Sequence, residues 1–122
     1  KIPQINWHEL VPSASITSWE NSLLCNQKPD DAVYFVHSFE ARPNNEKHVL
    51  AEYICGDYRI CAVIVKDNII GCQFHPEKSG KVGLEILKNF MSLWEIYYYF
   101  LLPFLFSRKI LMPSYIYEYY VI

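Results

Sequence analysis

Residues 67–91 read DNIIGCQFHPEKSGKVGLEILKNFM, and this stretch decides the fold prediction. Residues 68–74 form an apolar run that is typical of a buried strand, and residues 80–91 carry apolar side chains in a pattern that predicts a helix. Proteins of the α/β class place functional groups where a strand leads into a helix. We therefore predict an α/β fold with its chemistry in the short segment between these two elements.

Other segments predict further strands. Residues 1–10 are expected to form an edge strand or an extended loop, and residues 31–39 alternate in a way that predicts a strand. Residues 48–55 and 58–66 read as two strands, and the Gly-Asp pair between them is typical of a tight hairpin turn. The sequence therefore predicts an antiparallel hairpin that continues into the strand before the helix.

A histidine and a carboxylate stand two residues apart in the segment between strand and helix, at His75 and Glu77. Residues i and i+2 of a strand point to the same side, so we expect these side chains to form a hydrogen bond. A carboxylate on one imidazole nitrogen fixes the tautomer and leaves the other nitrogen free as a general base. On spacing alone, a hydrogen-bonded pair without a catalytic role is the more frequent explanation.

The residues around this pair carry a resemblance to a known family. GCQFHPEKSG at 71–80 and GLEILKNF at 83–90 closely resemble the C-terminal signature G-x-Q-F/W-H-P-E of class I (triad) glutamine amidotransferases. YFVHSF at 34–39 resembles the segment beside bound glutamine, and KIPQINWHEL at 1–10 resembles the K-x-P-x-x-G-W-N segment of one branch. That branch is the glutaminase subunit of imidazole glycerol phosphate synthase, together with its paralogues in surface-sugar biosynthesis. The resemblance covers residues 1–91.

The resemblance implies a flavodoxin-like domain with a mixed sheet and a Cys-His-Glu triad. His75 would be the general base that activates a cysteine thiol, and Glu77 would orient its ring. Ser38 and Phe39 would lie along the L-glutamine substrate. The thiolate would attack the glutamine carboxamide, release ammonia and leave a thioester for hydrolysis. The resemblance implies no cofactor and no metal, and a cytoplasmic location.

The resemblance also implies a heterodimer with a synthase (cyclase) subunit that receives the ammonia. Trp7 and Lys78 would face that subunit, because ammonia has to cross a dry interface before water protonates it. Asn6 stands where the branch usually has glycine, and His8 where it usually has asparagine. We therefore expect altered geometry in this partner-facing segment.

The nucleophile is the largest departure from the family pattern. Family members present the cysteine between glycines on a sharp strand-to-helix turn. That context is missing at all four cysteines, Cys25, Cys55, Cys61 and Cys72. The resemblance therefore implies that residues 1–91 are the C-terminal portion of an amidotransferase domain whose nucleophile lies upstream of Lys1. We expect the chain alone to be inactive.

Charge and residue spacing argue against several other classes of protein. The chain has 11 basic and 13 acidic residues, a net charge of -2, and no basic cluster, which argues against nucleic-acid binding. The cysteines lack C-x-x-C spacing and the histidines lack a metal-ligand period. Neither a nucleic-acid partner nor a metal site is predicted.

Residues 92–122 fall outside the resemblance and form an atypical apolar tail that is rich in tyrosine, isoleucine, phenylalanine and leucine. The uncharged run at 96–107 has 12 residues and contains Pro103, whereas a membrane-spanning helix needs about 20. We therefore predict no membrane span. Interfacial anchoring by the aromatic residues and translated non-coding sequence are two explanations of the tail, and we favour the second.

Two functions of different classes follow. The first is an enzyme, the glutaminase subunit that supplies ammonia to the cyclase in histidine biosynthesis, with a surface-sugar amidotransferase as a close alternative. The second is a non-catalytic remnant or interaction module that keeps the partner-facing surface without turnover.

Overall fold

A computed structural model describes residues 2–28, 30–67 and 69–105, with side chains described up to residue 93. Six strands, two 3₁₀ turns and one helix are present in these ranges. In chain order they are β1 (Gln4–Glu9), β2 (Val11–Pro12), β3 (Ala32–His37), the 3₁₀ turn Glu46–His48, β4 (Val49–Cys55), β5 (Tyr58–Lys66), β6 (Ile69–Cys72), the 3₁₀ turn Pro76–Lys78 and α1 (Gly80–Leu105).

The central unit is a four-stranded antiparallel sheet in the order β2-β4-β5-β6. The predicted hairpin is confirmed as β4 and β5, and Gly56 between them has a φ of +61°, a left-handed conformation that glycine adopts without steric cost. β6 follows β5 directly, as predicted, but ends at Cys72 instead of reaching Phe74. The residues that precede His75 therefore leave the regular strand before the catalytic candidates begin.

A second, two-stranded ribbon is formed by β1 and β3, which are antiparallel with Trp7 opposite Tyr34 and Ile5 opposite Val36. These four residues share one face of the ribbon, because strand side chains alternate between faces. The opposite face carries Phe35, whose backbone forms an isolated bridge with Phe74. This bridge joins the ribbon to the segment that leads to His75.

Aromatic side chains pack the ribbon against the four-stranded sheet. The ring of Phe35 lies 4.3 Å from that of Tyr53 and 5.7 Å from that of Phe74, measured between centroids. All three rings are fully buried, and offset or edge-on contacts of this kind add to the stability gained from burial alone. Helix α1 closes the core with Ile86, which is also buried.

The strands and the helix confirm the predicted α/β class, and each strand pair in the described residues is antiparallel. The predicted helix at 80–91 is also found, but α1 continues to Leu105 and crosses the predicted boundary between 91 and 92 without a break. No helix in the described part of the chain combines the length and apolar character that a membrane crossing requires. Residues 106–122 of the predicted tail lie outside the described residues.

Candidate active site

His75 and Glu77 are in direct contact. The His75 Nδ1 atom lies 2.9 Å from the Glu77 Oε1 atom. The contact was expected, but strand alternation is not its cause, because His75 is the N-terminal cap of the 3₁₀ turn Pro76–Lys78 and Glu77 lies within that turn. Pro76 starts the turn with a fixed φ and no N–H to satisfy. The tight turn, and not a strand, brings the carboxylate back to the ring.

The electrostatics of the pair define which nitrogen of the ring is free. Desolvation opposes ionisation of Glu77, but its own backbone N–H and the His75 ring together hold the pKa of the Glu77 carboxyl below its ordinary value of 4.5. An ionised carboxylate only accepts hydrogen bonds, so the Nδ1–H group of His75 is the donor. The lone pair on Nε2 is then available to accept a proton, which is the arrangement of a general base.

The backbone of His75 is fixed to strand β3. Its N–H donates to the carbonyl oxygen of Tyr34 at 2.9 Å, and its carbonyl oxygen accepts from the Ser79 hydroxyl at 2.7 Å. The same hydroxyl accepts the N–H of Tyr34 at 2.9 Å. Sequence reasoning did not single out Ser79, although a serine immediately before a helix is a common capping signal that draws attention to this position.

Ser38 and Phe39, the predicted glutamine-binding residues, follow directly after β3 and are exposed, Phe39 to 81%. They are not adjacent to His75, since that residue pairs with Tyr34, four residues earlier and about 13 Å away along an extended strand. The predicted base thus lies beside Tyr34 within β3, whereas the predicted substrate segment follows the C-terminal end of that strand.

The segment after β3 is held by a histidine and a tyrosine that sequence reasoning also did not assign. The His37 Nδ1 atom lies 2.9 Å from the Phe39 carbonyl oxygen, and its Nε2 atom lies 2.9 Å from the Tyr53 hydroxyl. Burial above all, and then Cys55 and Glu40, raises the pKa of Tyr53 to about 12. The tyrosine hydroxyl therefore stays protonated at neutral pH and donates a hydrogen bond to Nε2 of His37. The Nδ1–H group of His37 in turn donates a hydrogen bond to the carbonyl oxygen of Phe39.

Trp7 and Lys78, the predicted partner-facing residues, both lie at the surface. Trp7 is 49% exposed and its ring lies 5.6 Å from that of Tyr34, while Lys78 ends the turn that carries Glu77. The strand around Trp7 is regular: Asn6 has no left-handed backbone, and its side chain accepts the Trp7 N–H at 2.9 Å. His8 lies on the other face of β1 and stacks on Tyr53 at 4.5 Å, where burial, followed by the charge of His37, lowers its pKa.

The cysteines do not approach the form of an activated nucleophile. Burial raises the pKa of the Cys72 thiol to about 12, and burial with Glu52 and Glu40 nearby raises the pKa of Cys61 to about 11. Both thiols stay protonated at neutral pH, whereas a nucleophilic thiol requires a lowered pKa. Cys25 is exposed and Cys55 is half-buried, and no described hydrogen bond links either one to His75.

Comparison with known proteins agrees with these features. The family described as "Glutamine amidotransferase class-I" matches residues 10–94. Relatives include "Imidazole glycerol phosphate synthase subunit HisH 1" of Legionella pneumophila (strain Lens), 47% identical over 93 residues that cover 76% of this chain and 44% of that protein. A protein named as the HisH subunit in Prochlorococcus marinus subsp. pastoris is 41% identical over 92 residues, covering 75% and 42% of the two chains. One in Caldanaerobacter subterraneus subsp. tengcongensis is 47% identical over 92 residues, covering 74% and 41%.

The chain spans less than half the length of these curated relatives. Its α/β arrangement fits the flavodoxin-like domain expected from the sequence, and the family match includes both the His75–Glu77 pair and the strand that anchors it. The chain therefore belongs to the class I glutamine amidotransferase family.

Proposed function

We propose that this chain supplies the base and the orienting carboxylate of a glutaminase, which delivers ammonia to the cyclase subunit of imidazole glycerol phosphate synthase in histidine biosynthesis. The relatives that share 41–47% of the matched residues carry the name of that synthase, which favours it over a surface-sugar acceptor. A cytoplasmic location and a heterodimer with the cyclase belong to the same proposal. The observation that carries it is the 2.9 Å contact between His75 Nδ1 and Glu77 Oε1.

The proposed reaction uses the free Nε2 atom of His75. This nitrogen accepts the proton of a cysteine thiol, and the thiolate attacks the carboxamide carbon of glutamine. His75 then returns the proton to the leaving nitrogen, so that ammonia departs and a thioester remains. In the second half of the cycle Nε2 takes a proton from water as its oxygen attacks the thioester carbon; the C–S bond then breaks, glutamate leaves and the proton returns to the cysteine sulfur. Glu77 stays ionised throughout and stabilises the imidazolium that forms in each half.

The thiol in this proposal is none of the four cysteines of the chain. Cys61 and Cys72 are buried and their raised pKa values disfavour the thiolate. None of the four cysteines, Cys25 and Cys55 included, lies on the glycine-flanked turn on which the family presents its nucleophile. We therefore assign the nucleophile to a segment of the amidotransferase domain outside these residues, in keeping with relatives that are more than twice as long as the matched region.

The proposed partner surface is the exposed face of the β1–β3 ribbon. Ile5, Trp7 and Val36 lie together on this face, with 57%, 49% and 36% of their surfaces exposed. Lys78 lies on the turn that packs against β3, the second strand of this ribbon. The centre of a protein interface is enriched in aromatic residues, and Trp is frequent among the residues that contribute most to binding.

A chimera tests the proposed function. The 93 residues of this chain that match the Legionella relative replace the corresponding residues of that protein. Glutamine hydrolysis by the chimera is then measured in the presence of the synthase partner of the Legionella protein. We expect turnover that is lost by at least about a thousandfold in His75→Ala, because general-base catalysis and thiol activation are both removed. His48→Ala is the matched control, since the His48 side chain forms no described hydrogen bond, and it is expected to retain activity.

Two results would contradict the proposal. A folded chimera that binds the synthase but hydrolyses no glutamine would identify the chain as a non-catalytic remnant. Turnover by the 122-residue chain alone that depends on His75 would instead make one of its own cysteines the nucleophile.

A further inference from the structure

Ser79 is one of the most deeply buried polar residues described in the chain, at 2% exposure. Its hydroxyl donates to the carbonyl oxygen of His75 at 2.7 Å and accepts from the N–H of Tyr34 at 2.9 Å. The N–H of His75 meanwhile donates to the carbonyl oxygen of Tyr34 at 2.9 Å. Both backbone groups of His75 are therefore bound to β3, one directly and one through the serine hydroxyl.

We propose that Ser79 is a positioning residue that holds the imidazole of His75 in register with Glu77. This inference rests on the proposed function, in which His75 is the base. The 3₁₀ turn Pro76–Lys78 is only three residues long and has no regular strand on its N-terminal side, since β6 ends at Cys72. The direction of the His75 ring depends on its backbone. The N–H of Lys78 also donates to the His75 carbonyl oxygen at 3.0 Å, but this bond lies within the short turn, so the links from the His75 backbone to β3 are those through Tyr34 and Ser79.

The hydroxyl is the group of Ser79 that hydrogen-bonds both the carbonyl oxygen of His75 and the N–H of Tyr34. Removing it leaves the N–H of Tyr34 without this partner, while the carbonyl oxygen of His75 keeps the hydrogen bond from the N–H of Lys78 at 3.0 Å but loses its link to β3. The position is closed to bulk solvent, since Ser79 is only 2% exposed. Unsatisfied polar groups in a buried position favour local rearrangement. A catalytic geometry tolerates deviations of only about 0.5 Å or 10–20°, so even a small rearrangement matters for His75.

The test is a comparison of Ser79→Ala with the unmodified 122-residue chain by nitrogen NMR of labelled histidine, at about pH 8 where imidazole is neutral. In the unmodified chain we expect Nδ1 of His75 to have the shift of a protonated nitrogen and Nε2 that of a bare one. In Ser79→Ala we expect both shifts to move toward the average of two exchanging tautomers. The Tyr34 amide should exchange with solvent about tenfold faster, as expected for the loss of one buried hydrogen bond.

Ser13→Ala is the matched control. Ser13 is also buried, and its hydroxyl donates to the carbonyl oxygen of Val49 at 2.6 Å, away from the His75 turn. This variant should lose comparable stability in urea while the His75 nitrogens keep their shifts. A structural role alone would give Ser79→Ala the same result as the control, so the NMR signature separates positioning from general stabilisation.

The outcomes distinguish this inference from the proposed function. Averaged tautomer shifts at His75 in the unmodified chain would overturn both. Fixed shifts in the unmodified chain that persist in Ser79→Ala would overturn the role of Ser79 alone. Should Ser79→Ala fail to fold, Ser79→Cys takes its place, because a thiol is a weaker donor and acceptor at nearly the same position. Movement of the His75 shifts supports the proposal in that variant, and unchanged shifts overturn it.

Discussion

Replacing Gly83 by alanine should push helix α1 away from the turn that carries Glu77. A Cβ at this position would lie 1.9 Å from the carbonyl oxygen of Pro76, whereas real Cβ contacts stay above 3.0 Å, so the deficit is 1.1 Å. The Pro76 carbonyl carbon and the Ser79 Cβ would each lie 2.8 Å away. The nearest atoms belong to backbone and cannot rotate aside, so either the helix or the turn has to move.

Two opposing terms set the magnitude. Alanine is favoured over glycine inside a helix by about 1 kcal/mol. Inserting an extra methyl group into a packed site costs about 1–3 kcal/mol, and we expect the upper end because a backbone carbonyl is the obstacle. The net prediction for Gly83→Ala is a loss of about 2 kcal/mol in the free energy of unfolding. For a domain of this size that corresponds to a melting temperature lower by roughly 10 °C.

Urea denaturation followed by circular dichroism measures this loss, and Ser92→Ala provides the control. Ser92 lies on the exposed side of the same helix, where its hydroxyl donates to the Lys88 carbonyl, and its replacement should change the free energy of unfolding by less than about 0.5 kcal/mol. A Gly83→Ala chain as stable as the unmodified one, or more stable, would show that α1 has room to accept a side chain, and would refute the reasoning.

Three further predictions concern the site and its surroundings. Ionised Glu77 stabilises the folded chain above pH 4.5, the ordinary pKa of the carboxyl group, and this stabilisation is lost as the pH falls through the lower pKa of the folded state. The difference in urea midpoint between the unmodified chain and Glu77→Gln should therefore shrink as the pH falls through that range. A difference that stays constant would contradict the lowered pKa. Alkylation at neutral pH, followed by mass spectrometry, should modify exposed Cys25 first and buried Cys72 only on unfolding; early labelling of Cys72 would contradict its burial. Tyr53→Phe should lower the free energy of unfolding by about 1 kcal/mol, because His37 loses a buried donor, and unchanged stability in urea would mean that water replaces the hydroxyl.

The extent to which the sequence predicted the fold varies from element to element. The β4–β5 hairpin was predictable because the Gly-Asp pair at 56–57 is a local turn signal between two apolar segments. The end of α1 was not, because the residues after Met91 stay apolar and provide no stop signal short of Pro103. A turn can be predicted when its own residues specify its geometry, whereas a helix end cannot be predicted when the sequence has no glycine, proline or capping residue there.

The candidate site shows the same division. The proximity of His75 and Glu77 was predicted from their spacing, but through a strand geometry that the 3₁₀ turn replaces. The hydroxyl of Ser79 and the contact of His37 with Tyr53 depend on residues 45 and 16 positions apart in the chain. Such pairs come together only in the folded state, so no local pattern identifies them.

The way in which β3 holds His75 has a consequence for the tolerance of position 34 to mutation. Tyr34 provides only main-chain atoms to His75 and Ser79, while its ring contacts Trp7 at the surface. Nineteen of the twenty amino acids have the same N–H and carbonyl groups, and proline alone lacks the N–H. A saturation library at position 34 should therefore keep the base in place with nearly every residue. Natural variation can reshape the outer surface there without displacing the histidine beneath it.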